Sequence, residues 1–157
     1  MAMAELNLVA EFKQGVNALK NGYTQKALMH LRTAFESEKH NPYYLSFLGL
    51  SLARAERKWD KASELCEIAV QLRRSESQFH LNLAEVYALA GRREKALDTL
   101  DAALALFGGD QRLIRARSRV EKRRSPVLPF LKRDHFLNRT FGRVRHRTLK
   151  RLVKQNA

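Results

Sequence analysis

The chain has 157 residues, 45% of them apolar, enough for one domain with its own core. A single cysteine, Cys66, excludes an internal disulfide framework, and no apolar run reaches the length of a membrane-crossing helix, so a soluble cytoplasmic protein is expected. The formal net charge of +14 is unevenly placed: residues 1–110 carry 14 basic and 14 acidic side chains, whereas residues 111–157 carry 16 basic ones against Glu121 and Asp134 alone.

From about Ala4 to Lys20, Val9, Phe12, Val16 and Leu19 recur at helical spacing. Asn21-Gly22 ends this helix, and Thr24 is placed to cap the next. His40-Asn41-Pro42 leads into a third, with Pro42 suited to its first turn. Asp60 and Glu76/Ser77 occupy similar start positions further on. Between Ala84 and Gly108 the pattern is a helix hairpin. Ala84, Tyr87 and Ala88 share one face of its first helix, Gly91 breaks the chain, and Ala96, Leu100, Ala103 and Leu104 share one face of its second. Small residues at Ala84, Ala96 and Ala103 let the two backbones approach, while Tyr87, Leu97 and Leu100 fill the space between them. Gly108-Gly109 permits a left-handed exit, and Asp110 is placed to cap another helix. That helix, from Gln111 to about Arg124, carries Leu113, Ile114, Ala116 and Val120 on one side and arginines on the others. Pro126 and Pro129 cannot continue it and make the next stretch a stiff linker. Beyond the linker, Leu137, Phe141, Val144, Thr148 and Leu152 form the apolar stripe of a basic amphipathic helix.

One hairpin cannot bury its apolar face alone, and this one has copies. Ala27, Ala62 and Ala96 are separated by 35 and 34 residues, as are Ala34, Ala69 and Ala103; Gly15, Gly49 and Ala84 are separated by 34 and 35. The extra residue falls between Gly49 and Ala62, and the ERKWD turn is its expected place. Alongside these ladders stand Ala18, Gly22 and Leu31 in the first copy. Leu48, Leu52, Trp59 and Cys66 stand in the second, and Leu83, Tyr87, Gly91 and Leu100 in the third. On these positions the chain resembles the tetratricopeptide-repeat family from about Leu8 to Asp110. It departs from the family's early aromatic, where Glu11, Leu45 and His80 stand, and from its closing proline, where Lys39, Arg74 and Gly108 stand. The resemblance implies an all-α solenoid of three helix hairpins in residues 1–110, with repeats at about 8–41, 42–76 and 77–110. Residues 111–124 are then a capping helix. Residues 125–157 form a Pro-containing linker and a basic amphipathic segment.

Catalytic chemistry is not written in the chain. It has no phosphate-cradling glycine loop, HExxH, CxxC or nucleophile elbow. Cys66 falls on a packing position, and His30, His40 and His80 lack second ligands at helical spacing. No enzyme activity, metal, cofactor or small-molecule substrate is expected. The resemblance implies instead a protein-interaction scaffold whose concave groove is lined by the first helix of each repeat. The groove positions are Val9, Phe12, Lys13 and Val16, then Tyr43, Phe47, Leu50 and Arg54, then Gln78, Asn82 and Glu85, with Leu81 and Leu89 beside them. They are mostly apolar, so the family's Lys/Asn clamp on chaperone C-terminal carboxylates is not expected. An apolar or amphipathic protein segment suits the groove, this chain's own tail included. The alternative is an RNA- or ribosome-associated adaptor in which Arg139, Arg143, Arg145, Arg147, Lys150, Arg151 and Lys154 bind polyanions. An anionic membrane suits that tail less well, because its apolar stripe is thin and lacks Trp.

Overall fold

The computed structural model describes residues 2–121, with side chains from Leu8 onward. The linker and the basic segment, with its seven expected polyanion contacts Arg139, Arg143, Arg145, Arg147, Lys150, Arg151 and Lys154, lie outside the described residues. Among the described residues seven helices occur in the order α1 (Ala2–Lys20), α2 (Thr24–Ser37), α3 (Pro42–Glu56), α4 (Trp59–Leu72), α5 (Ser77–Leu89), α6 (Arg93–Phe107) and α7 (Gln111–Glu121). There is no strand among the described residues. Consecutive helices pair as hairpins α1/α2, α3/α4 and α5/α6, with α7 packed on both members of the last. None of the described helices is long and apolar enough to cross a membrane.

Local chemistry sets the helix ends. Asn41 accepts from the Tyr43 amide at 3.0 Å with Pro42 in the first position of α3, and Asp110 accepts from the Arg112 amide at 2.8 Å to start α7. Glu76 does the same for α5 through the Gln78 amide. Thr24 does not cap α2. It is the first helical residue, and Tyr23 stands before it without a side-chain bond. Asp60 likewise lies inside the first turn of α4, where its charge complements the helix dipole without capping an amide. Gly22 and Gly91 take φ of 80° and 79° at the two outer hairpin turns, and the next amides, of Tyr23 and Arg92, reach back to the Ala18 and Tyr87 carbonyls. Arg57 holds the corresponding left-handed position of the middle hairpin, at φ 55°. The extra residue of the second repeat therefore lies before Arg57. It falls within α3 and accounts for one of the two residues by which α3, at 15, exceeds α5, at 13, while the turn itself keeps its place.

The ladders are the hairpin seams. Ala27, Ala34, Ala62, Ala69, Ala96 and Ala103 are all fully buried. A Cβ on Gly15 would lie 2.6 Å from Leu31 Cγ, and one on Gly49 would lie 2.6 Å from Cys66 Sγ and 2.7 Å from the Ala62 carbonyl. At Gly49 the partner helix's backbone leaves no room for a side chain, and at Gly15 the Leu31 side chain fills the space. One large apolar cluster runs through α1 to α6, and a smaller one of Ala84, Leu100, Ala103 and Leu113 joins α5, α6 and α7. Polar bonds also cross between repeats, from the buried core to the exposed surface. Asn82 Nδ2 donates to Ser46 Oγ at 2.9 Å, the Tyr43 hydroxyl to Glu76 at 3.0 Å, and Arg92 pairs with Asp60. The Tyr87 hydroxyl donates to Glu67 at 2.5 Å, and burial together with that carboxylate pushes its pKa up to about 12.

Candidate functional site

The first helices of the hairpins, α1, α3 and α5, present their inner residues in register. Val9, Phe12 and Val16 of α1 lie 34 residues before Tyr43, Ser46 and Leu50 of α3; those lie 35 before Gln78, Leu81 and Glu85 of α5. The same step of 34 carries the pattern on to Arg112, Arg115 and Arg119 of α7. So α7 occupies the place of a fourth first helix, and the rows change from apolar at α1 to basic at α7. The groove positions read from the sequence stop at α5 and are mostly apolar; α7 adds a basic row beyond them.

Between α3, α5 and α7 the groove opens into a cavity of ≈ 740 Å³, within the roughly 300–1,000 Å³ range of ligand-binding clefts. Leu81, Ala84, Ala88, Leu100, Ala116 and Val120 give it an apolar lining. Arg54, Arg93, Arg112, Arg115 and Arg119 supply its charge, with Gln78, Asn82 and a single carboxylate, Glu85. Arg54 engages Glu85 Oε1 through Nε at 2.8 Å and Nη2 at 2.5 Å, and its Nη1 donates to the Leu19 carbonyl, so this pair spans three repeats. Arg112 grips Asp110 and also donates to Ser77 Oγ at 2.8 Å, tying α7 to α5; it holds the Asp110 carboxyl down at about 2. Arg93 donates to the Val120 and Glu121 carbonyls at 3.1 and 3.0 Å, satisfying acceptors that end α7. Arg115 and Arg119 form no ion pair among the described residues; Arg119 donates only to the Arg115 carbonyl. By contrast Arg117, on another face of α7, pairs with both Asp101 and Glu121.

Of the groove residues read from the sequence, Arg54, Gln78, Asn82 and Glu85 come together in this cavity. Asn82 is 2% exposed and tied to Ser46 and Gln78, so its amide is committed. Val9 and Lys13 are exposed on α1. Leu50 is buried in the core. Val16, Phe12, Tyr43 and Phe47 are half-buried against that core, and Phe12 packs edge-on to Phe47 at 5.4 Å and to Tyr43 at 6.5 Å. Sequence reasoning missed Arg93, Arg112, Arg115 and Arg119. The repeat period marks the last three, once it is continued past Asp110; nothing in the pattern marks Arg93, which enters from the start of α6. No group of three or more potential metal ligands occurs among the described residues. Cys66 is fully buried, which pushes its thiol up, away from the nucleophilic thiolate.

The tetratricopeptide-repeat family model matches residues 53–120, a span that runs from α3 into α7. Over that span the chain matches the family, and its described helices have the family's fold. Solved structures similar to it include the second such domain of human RPAP3 in complex with an HSP70 peptide, with 17% identity, a TM-score of 0.61 and coverage of 76% of this chain and 98% of that one. The domain of Arabidopsis OM64 has 17% identity, a TM-score of 0.61 and coverage of 75% and 97%. The TPR2B domain of yeast Sti1, in a complex with an Hsp70 peptide, has 14% identity, a TM-score of 0.61 and coverage of 76% and 99%. At these identities the likeness is one of fold. No curated protein matches the chain.

Proposed function

We propose that this protein is a non-catalytic interaction module that holds a segment of a partner protein in the groove between α3, α5 and α7. The cavity itself carries the reading: an apolar floor edged by polar side chains, five of them arginines, is a form that suits recognition of a protein segment. The peptide complexes of the human and yeast domains support it by showing what the same fold accommodates elsewhere. The chain's own tail is a poor occupant. Residues 122–157 carry 12 basic side chains and one acidic one, Asp134, and they would meet a groove already rich in arginine.

The test is selection of binding peptides from a random display library, and then hydrogen exchange on the full-length protein with a selected peptide. Protection is expected along the inner residues of α3, α5 and α7. Protection confined to α2, α4 and α6, or no peptide bound at all, overturns the reading.

A further inference from the structure

We propose that the α7 end of this groove recognises its partner by several side-chain carboxylates set among apolar residues, and not by a chain terminus. The proposal rests on the interaction-module reading above and narrows the partner's chemistry. Arg112, Arg115 and Arg119 are spaced i, i+3 and i+7, so they form one stripe on α7. At a rise of 1.5 Å per residue the stripe is about 10 Å long. A terminal carboxylate is one anion, which one or two guanidinium forks saturate. Guanidinium groups spread over two turns instead match a run of separate carboxylates.

Charge pairing on the two faces of α7 points the same way. Arg117, away from the groove, has two carboxylate partners, and Arg115 and Arg119, in the groove, have none among the described residues. The one carboxylate among the described lining residues, Glu85, is already engaged by Arg54. Like charges on neighbouring turns repel, and no acidic residue of the described cavity offsets this at Arg115 and Arg119. An anionic ligand would. The floor then separates kinds of anion. Leu81, Ala84, Ala88 and Val120 would lie idle beneath a nucleic-acid backbone, and no aromatic side chain among the described residues lines the cavity for a base to stack on. A protein segment with Asp or Glu interspersed among Leu, Ile or Val uses both the stripe and the floor.

The probe is a fluorescein-labelled, C-terminally amidated peptide of glutamates interspersed with leucines. It is titrated by anisotropy against the full-length protein beside its free-acid form, a glutamine-for-glutamate form and oligouridylate. Two charge-matched double variants accompany it: Arg115→Glu with Arg119→Glu in the groove, and Lys26→Glu with Lys61→Glu on exposed positions of α2 and α4. Circular dichroism melts first establish that both variants fold. Amidated and free-acid peptides should bind alike, and the glutamine form at least about tenfold more weakly. The groove variant should lose about tenfold or more, and the outer variant no more than about threefold. Equal losses in the two variants would reduce the effect to overall charge and overturn the proposal. So would a requirement for the free terminus, or arginine-dependent binding of oligouridylate without the peptide. If library selection yields groove-bound neutral peptides while the glutamate peptide fails, the interaction module survives and this specificity does not.

Discussion

Gly49 shows how narrowly single residues are constrained where two helices of a hairpin touch. Its missing side chain leaves room for Cys66 Sγ and the Ala62 carbonyl, and a methyl group there would sit 2.6 and 2.7 Å from them. Because one of those neighbours is backbone, relief requires the helices to separate. Gly49→Ala should therefore destabilise the protein by about 1–3 kcal/mol. Gly109→Ala, where a Cβ would meet nothing within 4 Å, should stay within about 0.5 kcal/mol. Urea denaturation of the two variants decides the matter, and equal midpoints would show that the seam yields easily. Asp110 gives a second test at this scale. Its carboxyl is held down at about 2 by the bonds from the Arg112 side chain and amide. A carboxyl whose pKa falls on folding contributes stability that is complete above its ordinary value near 4 and disappears as pH falls toward the lowered one. Asp110→Asn should therefore be less stable than the parent at pH 6, and the gap should close between about pH 4 and pH 2. A gap that persists at pH 2 would mean that packing of Asp110, and not its charge, is what matters.

At the scale of elements, α7 separates what the sequence conveys from what it does not. The hairpins were legible because their seams demand small residues, and Gly15, Gly49, Ala27, Ala62 and Ala96 keep the spacing of fully packed helix contacts. The α7 helix was legible as a helix packed on the last hairpin. Its arginines were not legible as groove residues, because a polar face turned to solvent and a polar face turned to a ligand look alike in a sequence. Only the register from Gln78, Leu81 and Glu85 tells them apart. Periodicity also could not separate Leu50, which the core absorbs, from Gln78, which stays open to the groove. Arg93 escaped for a different reason: it reaches α7 from the start of α6 and bonds to the Val120 and Glu121 carbonyls, contacts with no sequence period at all. Those bonds predict a specific phenotype. Arg93→Ala should leave acceptors at the end of α7 to water and cost about 1 kcal/mol. It should also speed hydrogen exchange in the last turn of α7, with α3 and α4 unaffected. Unchanged exchange there would mean that α7 is held by Leu113 and its apolar neighbours alone.

Across the described residues, the distribution of buried apolar surface and the placing of the groove's arginines are aligned. The large cluster binds α1 through α5 together, with Ala96 alone reaching it from α6, while α5, α6 and α7 share the small one of Ala84, Leu100, Ala103 and Leu113. In a solenoid each repeat leans chiefly on its neighbours, so the end with less buried surface opens first. That end is also the arginine-rich part of the groove. Ligand and stability are thus coupled: an acidic segment seated between α5 and α7 bridges the elements that the core secures least. Native-state hydrogen exchange in rising denaturant should show α6 and α7 opening before α3 and α4 in the free protein. Saturation with the glutamate–leucine peptide at about a hundred times its dissociation constant should raise the opening free energy of α6 and α7 by up to about 2.7 kcal/mol. The gain at α3 and α4 should be smaller until their opening merges with global unfolding. Uniform protection along the chain with and without peptide would mean that the solenoid opens as a single unit, and the groove would then have no selective hold on its own C-terminal end.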